Sequence, residues 1–337
     1  MPQANPRTIL VTGARGFIGR HLVKQLLLSA NTTVVSIDQA PITSVSRQLN
    51  NRHIEIELDV RDRPRLREVF SKFDIECVFD LASVTDVGLT VAEYRPNVEI
   101  TEALIECVLA FNIRKYIFYS TQFVFRKEDA LPNGEEDYFP IEAYGESKIK
   151  SETLIRSALD SKQRLIVRPT YVWGPGHTRF RDGFLYRVAR GHFMVPMTDS
   201  VKRYYGYVDT ICKQTIQLSE FEFRDLPQNT FYISDAPVSL QWFCEQFISA
   251  LRCGRVWRVP STVIRSLGAI GDFANKFHLS FPINKLQADE MTKNYPIPLD
   301  PTLAITQTAT DYRLASKAVV AWALSDPQFA RRIRISL

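Results

Sequence analysis

The sequence lacks the features that mark secreted, membrane-spanning and zinc-binding proteins. Its five cysteines are odd in number and form no C-x-x-C pair, which argues against a disulfide framework and against a zinc site. No apolar run approaches the roughly 18 residues that a spanning helix requires, and residues 1–7 show no basic stretch followed by an apolar one. We therefore expect a cytoplasmic protein with reduced cysteines, without a bound metal and without a membrane span.

A strong charge of one sign is missing as well. The chain carries 42 lysine and arginine residues against 37 aspartate and glutamate residues, a net charge of +5, and no five-residue window is solidly basic. Nucleic acid is therefore not an expected partner, whereas a small anionic ligand suits this balance. The composition, 45% apolar and 23% charged, excludes the disordered and low-complexity classes.

The length and the hydrophobic pattern predict two lobes. At 337 residues the chain is about twice the usual size of a single domain. In the first half, apolar runs alternate with helical periodicity, which predicts a parallel sheet covered by helices on both faces. This alternation breaks after Pro169. We predict an α/β fold with a doubly wound parallel sheet in residues 1–170, completed by a return segment at about 205–236, and a smaller mixed α/β lobe in 171–204 and 237–337.

A glycine-rich turn lies between the first predicted strand and the first predicted helix. Its glycines at three-residue spacing permit a tight turn, close approach of the backbone to a pyrophosphate, and close packing of helix on strand. The N–H groups at the start of the helix would bind the anion. A plain tight turn is the alternative. The pattern predicts a Rossmann-type dinucleotide site with these contacts: Gly13, Arg15, Gly16, Phe17, Ile18 and Gly19.

An aspartate at the end of the second predicted strand bears on the choice of cofactor. Asp38 lies 19 residues past Gly19, close to the roughly 20-residue offset of a carboxylate that binds the adenosine ribose. A carboxylate here repels the 2′-phosphate of NADP, and residues 39–41 supply no arginine to bind it, so the sequence favours NAD. After the third strand, Asp59 and Val60 are predicted to meet the adenine, although Asp59 could equally cap the next helix.

Tyr144 and Lys148 stand four residues apart, on one face of a predicted helix. A tyrosine with a pKa near 10 is a poor base at pH 7. An adjacent lysine cation and a positive nicotinamide ring would favour its phenolate. Such a Y-x-x-x-K pair is common by chance and would by itself indicate an ordinary surface pair.

Further segments accompany the glycine turn and the Y-x-x-x-K pair in order along the chain. They are Leu81-Ala82-Ser83, Asn97-Val98 with Thr101, Ser120-Thr121-Gln122-Phe123-Val124-Phe125, and Arg168-Pro169-Thr170-Tyr171-Val172-Trp173-Gly174-Pro175-Gly176. Together these motifs resemble the extended short-chain dehydrogenase/reductase family, in its group of NAD-dependent sugar-nucleotide epimerases and dehydratases. The similarity covers most of the chain.

The resemblance implies roles for individual residues. Thr121 would bond the reacting sugar oxygen, Tyr144 would act as acid and base, and Lys148 would tune Tyr144 and hold the nicotinamide ribose. Arg203 stands where the family's arginine grips the diphosphate. The implied cofactor contacts include Leu81, Ala82, Ser83, Tyr144 and Lys148, and the implied substrate contacts are Ser83, Thr121, Tyr171 and Arg203.

Departures from the family pattern narrow the expected reaction. Dehydratases of the group follow the catalytic threonine with an Asp-Glu pair, whereas Gln122 and Phe123 stand here, so elimination lacks its acids. Reductases of the group often take NADPH, which Asp38 disfavours. The resemblance therefore implies an NAD-dependent epimerase of a nucleoside-diphosphate sugar, acting at C4 through a transient 4-keto intermediate. Tyr171 and Phe125 replace a frequent asparagine and tyrosine, which implies an unusual pocket.

Several alternatives remain open. One is a related oxidoreductase, either an NDP-4-keto-sugar reductase or a dehydratase with unfamiliar acids, and another is a catalytically silent NAD sensor. A hydrophobic substrate, as in the steroid and flavanone branches of the superfamily, is a further possibility. The family also implies a homodimer formed through the long helices near 91–111 and 143–160. The segment 260–301 has no clear counterpart and is expected in the core or at the dimer surface.

Overall fold

A seven-stranded parallel sheet forms the centre of the molecule. The computed structural model describes residues 7–41, 52–86, 88–277, 279 and 281–333, so the segment 1–6 and two positions of 260–301 lie outside the described residues. The strands of the sheet are β1 (Arg7–Thr12), β2 (Thr32–Asp38), β3 (His53–Glu57), β4 (Ile75–Asp80), β5 (Lys115–Tyr119), β6 (Arg164–Pro169) and β11 (Thr230–Ile233). Neighbouring strands all pair in parallel, in the order β11-β6-β5-β4-β1-β2-β3.

The strand order reverses at β1. The chain runs outward from β1 to β2 and β3 and then returns to place β4 on the other side of β1. The segments that leave the carboxyl ends of β1 and β4 therefore diverge, and open α/β sheets bind their ligands in the crevice left at such a point. Gly13 follows β1 and Leu81 follows β4, so predicted site residues lie at this crevice.

Helices cover both faces of the sheet, as its apolar strands require. Those on one face are α2 (Arg63–Lys72), α3 (Arg95–Ala110) and α4 (Ala143–Ala158), and those on the other are α1 (Phe17–Leu26) and α6 (Val208–Glu220). Leu66, Leu104 and Ile155 are buried in the first layer, and Leu22 and Ile211 in the second. The doubly wound parallel α/β fold predicted from the sequence is confirmed.

A smaller lobe pairs short strands two by two and surrounds them with helices. Its strand pairs are β7 (Tyr171–Trp173) with β10 (Tyr205–Tyr207), β8 (Phe193–Pro196) with β13 (Val256–Val259), and β9 (Lys202–Arg203) with β12 (Val238–Ser239). Its helical segments are a π-helical turn at Phe180–Leu185, α5 (Tyr186–Ala189), α7 (Leu240–Leu251), α8 (Ser261–Asn275), α9 (Lys285–Thr292), α11 (Tyr312–Leu324) and α12 (Pro327–Ile333). Helix α10 (Asp300–Thr306) packs instead against β11 and α6 of the main sheet.

Aromatic rings fill the core of this lobe. Trp173 is almost fully buried, and its ring centroid lies 5.2 Å from that of Phe243, 5.4 Å from that of Phe247 and 5.6 Å from that of Tyr312. All five cysteines are free thiols. Of the helices in the described part of the chain, none is both long and apolar enough to cross a lipid bilayer.

Candidate active site

The glycine turn joins β1 to α1 in a conformation that larger residues would not tolerate. Gly13 has a φ of +61°, and a Cβ there would lie 2.9 Å from backbone atoms of Leu81 and Ala82. A Cβ on Gly19 would lie 2.2 Å from the carbonyl oxygen of Gly13, so only glycine lets the helix approach the turn. Gly16 precedes α1 and gives it no side-chain cap. The N–H groups of the first helical turn therefore suit an anion.

Asp38 lies at the end of β2, where its carboxylate meets the glycine turn. The backbone N–H groups of Arg15 and Ala40 donate to its two oxygens, each at 2.9 Å. A carboxylate can accept about four hydrogen bonds. Both oxygens therefore retain capacity for hydroxyl groups, as a ribose site requires.

The side chain of Arg15 points away from the predicted cofactor site. Its guanidinium donates to the carbonyl oxygen of Ala40 and lies 3.8 Å from a carboxylate oxygen of Glu55. Arg15 consequently does not line the cavity that the other predicted residues share. The fold nevertheless brings this arginine close to Asp38. The two residues are 23 positions apart, so residues 39–41 alone do not reveal the neighbouring positive charge.

Asp59 lies at the same crevice and pairs with Arg61. Its carboxylate accepts from the Arg61 guanidinium, with 2.6 Å between Nη2 and Oδ2, and from the Arg61 backbone N–H at 2.9 Å. The hydrogen bonds from Arg61 lower the pKa of Asp59. The residue that caps α2 is Asp62, which accepts from the backbone N–H of Arg65 at 3.3 Å. Capping by Asp59 is therefore wrong, whereas Asp59 and Val60 both line the cavity.

Thr12 fixes the loop that follows β4. Its buried hydroxyl donates to Asp80 at 2.8 Å and accepts from the backbone N–H groups of Leu81 and Ala82 at 3.1 and 3.0 Å. Desolvation raises the pKa of Asp80, which is fully buried beneath this loop. Leu81, Ala82 and Ser83 are thereby held along the crevice, where all three line the cavity.

Thr121, Tyr144 and Lys148 line one cavity although they come from different elements. Tyr144 and Lys148 are one turn apart at the start of α4, and Thr121 follows β5. Gly145 makes the approach possible, since a Cβ there would lie 2.4 Å from the carbonyl oxygen of Phe123. The start of α4 therefore presses against the segment that carries Thr121.

Burial dominates the protonation of Tyr144 and Lys148. It raises the pKa of Tyr144 to about 12, against a smaller opposing effect of a hydrogen bond with Ser83. It lowers the pKa of Lys148 to about 8, against the attraction of two nearby carboxylates. The Lys148 ammonium donates to the carbonyl oxygen of Tyr119 at 2.9 Å. The lowering of the Tyr144 pKa by Lys148, predicted from the sequence, is not seen in the structure.

Buried polar contacts fix α4 in place. Asn97 on α3 donates to the Ser147 hydroxyl at 3.1 Å and accepts at 2.7 Å from an N–H group of the loop after β4. One turn beyond Lys148, the fully buried Glu152 accepts from the Ser120 hydroxyl at 2.5 Å and from the Arg168 guanidinium at 2.6 Å. These contacts join α4 to α3, β5 and β6, so the position of Tyr144 is set by the core of the sheet.

A charged cluster forms the wall of the cavity on the side of the second lobe. Both the Arg126 guanidinium and the Tyr171 hydroxyl donate to the carboxylate of Glu290 on α9. Arg126 also lies over the ring of Tyr295, 3.9 Å from its centroid. Burial raises the pKa of Tyr171 well above its ordinary value. Tyr171, a predicted substrate contact, thus faces the cavity as part of an ion-paired network.

Arg203 also lines the cavity and is buried. Its side chain is only 4% exposed, and one guanidinium nitrogen donates to the carbonyl oxygen of Lys202 at 2.8 Å. Another nitrogen, Nη2, is buried and has no hydrogen-bond partner among the described residues. An arginine held in this way suits an anionic ligand, because an unpaired buried donor is costly.

Sequence reasoning missed two residues that line the cavity, Tyr94 and Glu290, and a third, Arg126, that holds Glu290 without lining the cavity itself. Tyr94 packs against Tyr144, with 5.5 Å between the ring centroids. Arg126 directly follows the motif that ends at Phe125, so its position was a usable signal. Glu290 lies in the segment 260–301, where neither periodicity nor a motif marks it.

The predicted site residues, with the exception of Arg15, line one cavity of about 1850 Å³ between the lobes. A typical small-molecule pocket measures roughly 300–1000 Å³, so this cavity has room for a dinucleotide and a second ligand together. The glycine turn, the uncapped start of α1 and the open acceptors of Asp38 fit a dinucleotide.

Comparisons with known proteins show which proteins this chain resembles. The chain is 30% identical over 178 residues to UDP-glucose 4-epimerase 2 of Arabidopsis thaliana, which covers 48% of this chain and 50% of that protein. It is 25% identical over 209 residues to the N-acetyl-alpha-D-glucosaminyl-diphospho-ditrans,octacis-undecaprenol 4-epimerase of Escherichia coli O157:H7, 60% of each chain. The match thus spans about half the length of the first of these relatives.

Among solved structures, the fold is similar to that of dTDP-glucose 4,6-dehydratase from Bacillus anthracis in complex with NAD. The TM-score is 0.70 at 16% identity, over 97% of this chain and 100% of that one. The model of the NAD dependent epimerase/dehydratase family matches residues 9–231. The matched region contains the glycine turn, Asp38, Thr121, Tyr144 and Lys148, and the predicted cofactor agrees with the definition of the family as NAD dependent. The chain belongs to the NAD dependent epimerase/dehydratase family.

Proposed function

We propose that this chain is an NAD-dependent epimerase of a nucleoside-diphosphate sugar, acting at C4 through a transient 4-keto intermediate. The observation that carries the proposal is that Thr121, Tyr144 and Lys148 line the same cavity as the glycine turn and Asp38. Membership of an NAD-dependent family supports the cofactor, and the two epimerases similar to this chain support the reaction class.

The glycine turn and Asp38 would hold the cofactor. The N–H groups at the start of α1 meet the pyrophosphate, and the Asp38 carboxylate accepts from the ribose hydroxyls. Bound NAD supplies the acceptor and donor of hydride at the sugar carbon. Lys148 would donate to the second ribose. It lines the same cavity as the glycine turn, and its ammonium, which donates to the Tyr119 carbonyl oxygen, has two further N–H groups.

Tyr144 moves the proton in this proposal. Its phenolate removes the C4 hydroxyl proton while the Thr121 hydroxyl positions that oxygen, and the phenol returns the proton after hydride has gone back to the other face. The pKa of Tyr144 is about 12 in this structure. Lys148, one turn away on α4, does not lower this pKa in the structure, so in the proposal the positive nicotinamide ring would favour the phenolate.

Epimerisation also requires the 4-keto sugar to turn, so that either face of its carbonyl carbon can lie against the cofactor, while its diphosphate stays bound. Arg203 suits the diphosphate, because its buried guanidinium keeps one nitrogen without a partner among the described residues. Charge-assisted contacts of this kind are the stronger hydrogen bonds in proteins. The size of the cavity leaves space for the sugar to turn.

The alternatives are less well supported. A dehydratase needs free acids at the sugar, whereas Gln122 and Phe123 follow Thr121 and the Glu290 carboxylate is committed to Arg126 and to a tyrosine hydroxyl. A reductase would exchange its cofactor at each turnover and often takes NADPH, whose 2′-phosphate the Asp38 carboxylate repels. A sensor would use the glycine turn and Asp38 but would not need the proton-transfer residues.

A sugar carried on a lipid diphosphate is the second candidate substrate. Apolar side chains of the second lobe line part of the cavity, among them Met194, Trp257, Ile283 and Leu286. A nucleoside would leave these side chains facing water or a polar base, whereas an isoprenoid chain would cover them. The E. coli relative named above acts on such a compound according to its name.

We also infer a homodimer formed through α3 and α4 and a cytoplasmic location. Leu109 on α3 is 49% exposed, which supports a contact there. Five free thiols, four of them buried, support a reducing compartment.

The decisive experiment incubates the purified protein with UDP-, GDP-, dTDP- and CDP-sugars and with a polyprenyl diphosphate sugar, followed by chromatographic separation of the epimers. We expect one substrate class to be epimerised without net change in NADH absorbance, and NAD to be released on denaturation. Tyr144→Phe should lower turnover at least about 10²-fold, since general acid–base groups contribute roughly 10²–10⁴.

Tyr94→Phe is the matched control, because it keeps the ring that packs against Tyr144 and removes only a hydroxyl that donates to the carbonyl oxygen of Asp86. It should keep most of the activity, and both variants should retain NAD. Undiminished turnover of Tyr144→Phe, or steady consumption of NADPH without epimer formation, would contradict the proposed function.

A further inference from the structure

Helix α8 is fixed to the wall of the cavity by small residues. A Cβ on Gly268 would lie 2.6 Å from the Cβ of Ala288, and a Cβ on Gly271 would lie 1.9 Å from the carbonyl oxygen of Ile283. With Ile264, these glycines form the buried stripe of the helix. Because the interface with α9 uses glycine, the two helices pack closely and the large apolar residues of α8 lie elsewhere.

Those large residues form a second apolar face that points to solvent. Val263, Ile270, Phe273 and Phe277 are 43%, 51%, 64% and 61% exposed. Their separations of seven, three and four residues put them on one side of the helix and its last turn. The rings of Phe273 and Phe277 contact each other with 5.1 Å between centroids. We call these four residues the α8 face.

The segment that carries the α8 face has a net positive charge. The segment 252–293 holds seven arginine and lysine residues against three acidic ones. On the helix, Lys276 directly precedes Phe277 and is exposed, whereas the Arg265 guanidinium donates to the Thr292 hydroxyl of α9 at 3.1 Å. The one acidic residue of α8, Asp272, accepts from the backbone N–H of Lys285 at 3.2 Å. An exposed apolar patch of this kind marks an interaction site, and the charge around it calls for an anionic partner.

We propose that the α8 face binds the surface of an anionic phospholipid membrane and makes the protein a peripheral membrane protein. The aromatic and aliphatic side chains would enter the boundary between headgroups and acyl chains, while Lys276 would reach the lipid phosphates. With 15 residues, α8 is suited to lie in the membrane plane.

The position of α8 connects this surface to the cavity. Ile283, just before α9, and Leu286 on α9 both line the cavity, and the backbone of Ile283 packs against Gly271 of α8. Membrane binding would therefore bring this wall of the cavity close to the lipid. The binding surface itself does not depend on the proposed epimerase activity.

A second copy of this chain is the competing occupant. A two-fold symmetric contact would place the α8 face against itself. The two segments 252–293, each with a net positive charge, would then lie close together, which disfavours pairing. An anionic lipid surface satisfies the apolar and the basic residues together.

Co-sedimentation with phospholipid vesicles tests the proposal on the full chain. The protein should pellet with phosphatidylcholine vesicles that contain phosphatidylglycerol, less with pure phosphatidylcholine, and less at high salt. The double variant Phe273→Ser/Phe277→Ser should lower the bound fraction at least about tenfold, because two large apolar side chains leave the interface. Lys276→Glu should weaken binding only to the vesicles with phosphatidylglycerol.

The matched control is Leu28→Ser/Leu314→Ser, which removes two leucines that are 80% and 62% exposed elsewhere on the molecule. It should bind vesicles like the unaltered protein, and thermal unfolding checks that both double variants are folded. Absence of vesicle binding by the unaltered protein, or undiminished binding by the Phe273/Phe277 variant, overturns the proposal. If instead that variant only halves the molar mass in light scattering, the α8 face is a contact between copies. A failed epimerase assay would leave the vesicle result unaffected.

Discussion

Asp38 and Arg15 show how two neighbouring residues bear on the choice of cofactor. The Asp38 carboxylate receives two backbone N–H groups and stays open toward the cavity. The Arg15 guanidinium, which has the chemistry to bind a 2′-phosphate, is turned to the Ala40 carbonyl and to Glu55. A 2′-phosphate would therefore meet the negative charge of Asp38 before any positive one.

Asp38→Ala should weaken NAD binding about tenfold or more. It should also reduce the ratio of the affinity for NAD to the affinity for NADP. Hydrogen bonds to a charged group contribute about 1.5–3 kcal/mol, and removal of the carboxylate also frees a 2′-phosphate from repulsion near Arg15. Fluorescence titration with NADH and NADPH measures both affinities. Adding Arg15→Met to the variant should remove the gain for NADPH. An unchanged ratio of the two affinities would mean that Asp38 does not face the ribose.

Most single elements could be predicted, because burial leaves a periodic pattern in the sequence. The amphipathic period at 240–251 coincides with α7 (Leu240–Leu251), and the helix with Tyr144 and Lys148 begins at Ala143 as expected. Partners between elements could not be predicted. Arg126 meets Glu290 from 164 residues away, and periodicity records that a side chain is buried without recording what it meets. The site was therefore predictable where motifs marked it and unknown at its second-lobe wall.

Gly145→Ala tests whether the contact between α4 and the segment after β5 positions Tyr144. The new Cβ would lie 2.4 Å from the Phe123 carbonyl oxygen and must displace the start of the helix. We expect a loss of about 1–3 kcal/mol in the free energy of unfolding. Turnover should fall by up to about 10²-fold, since a misplacement of about 1 Å has that effect. Urea unfolding and the epimerisation rate measure the two quantities.

Gly183→Ala is the matched control for this substitution. A Cβ at Gly183 meets no atom within 4 Å in the described structure, and the residue lies in a helical turn where alanine is favourable. This variant should keep full activity and stability. If Gly145→Ala behaves in the same way, α4 does not rely on the close approach at Phe123.

At the scale of the whole molecule, the lobes are joined by polar groups that no sequence pattern reveals. Asp235 follows β11 and is 3% exposed. Its carboxylate accepts from the backbone N–H of Tyr207 at 2.8 Å and also interacts with Thr310, just ahead of α11. It therefore connects the main sheet to β10 and to the C-terminal helices. Like the shared cavity, this link depends on how the lobes meet, which local periodicity does not encode.

Burial raises the pKa of Asp235 to about 6, above a value near 4 in the unfolded chain. Between these values the folded state binds more protons than the unfolded state, so the contribution of Asp235 to the free energy of unfolding falls as the pH rises. A shift of about two pKa units corresponds to about 3 kcal/mol at most. Asp235→Asn does not titrate and lacks this dependence.

The free energy of unfolding of the unaltered protein, relative to that of Asp235→Asn, should therefore be greatest near pH 4. This difference should decline by up to about 3 kcal/mol by pH 7. Urea unfolding at several pH values across this range measures the difference. Asp225→Asn is the control, because the Asp225 side chain is 65% exposed and its substitution should give curves parallel to those of the unaltered protein. Parallel curves for Asp235→Asn as well would mean that Asp235 is ionised in the folded protein throughout this range, and that the contact between the lobes is held by a charge rather than by a shared proton.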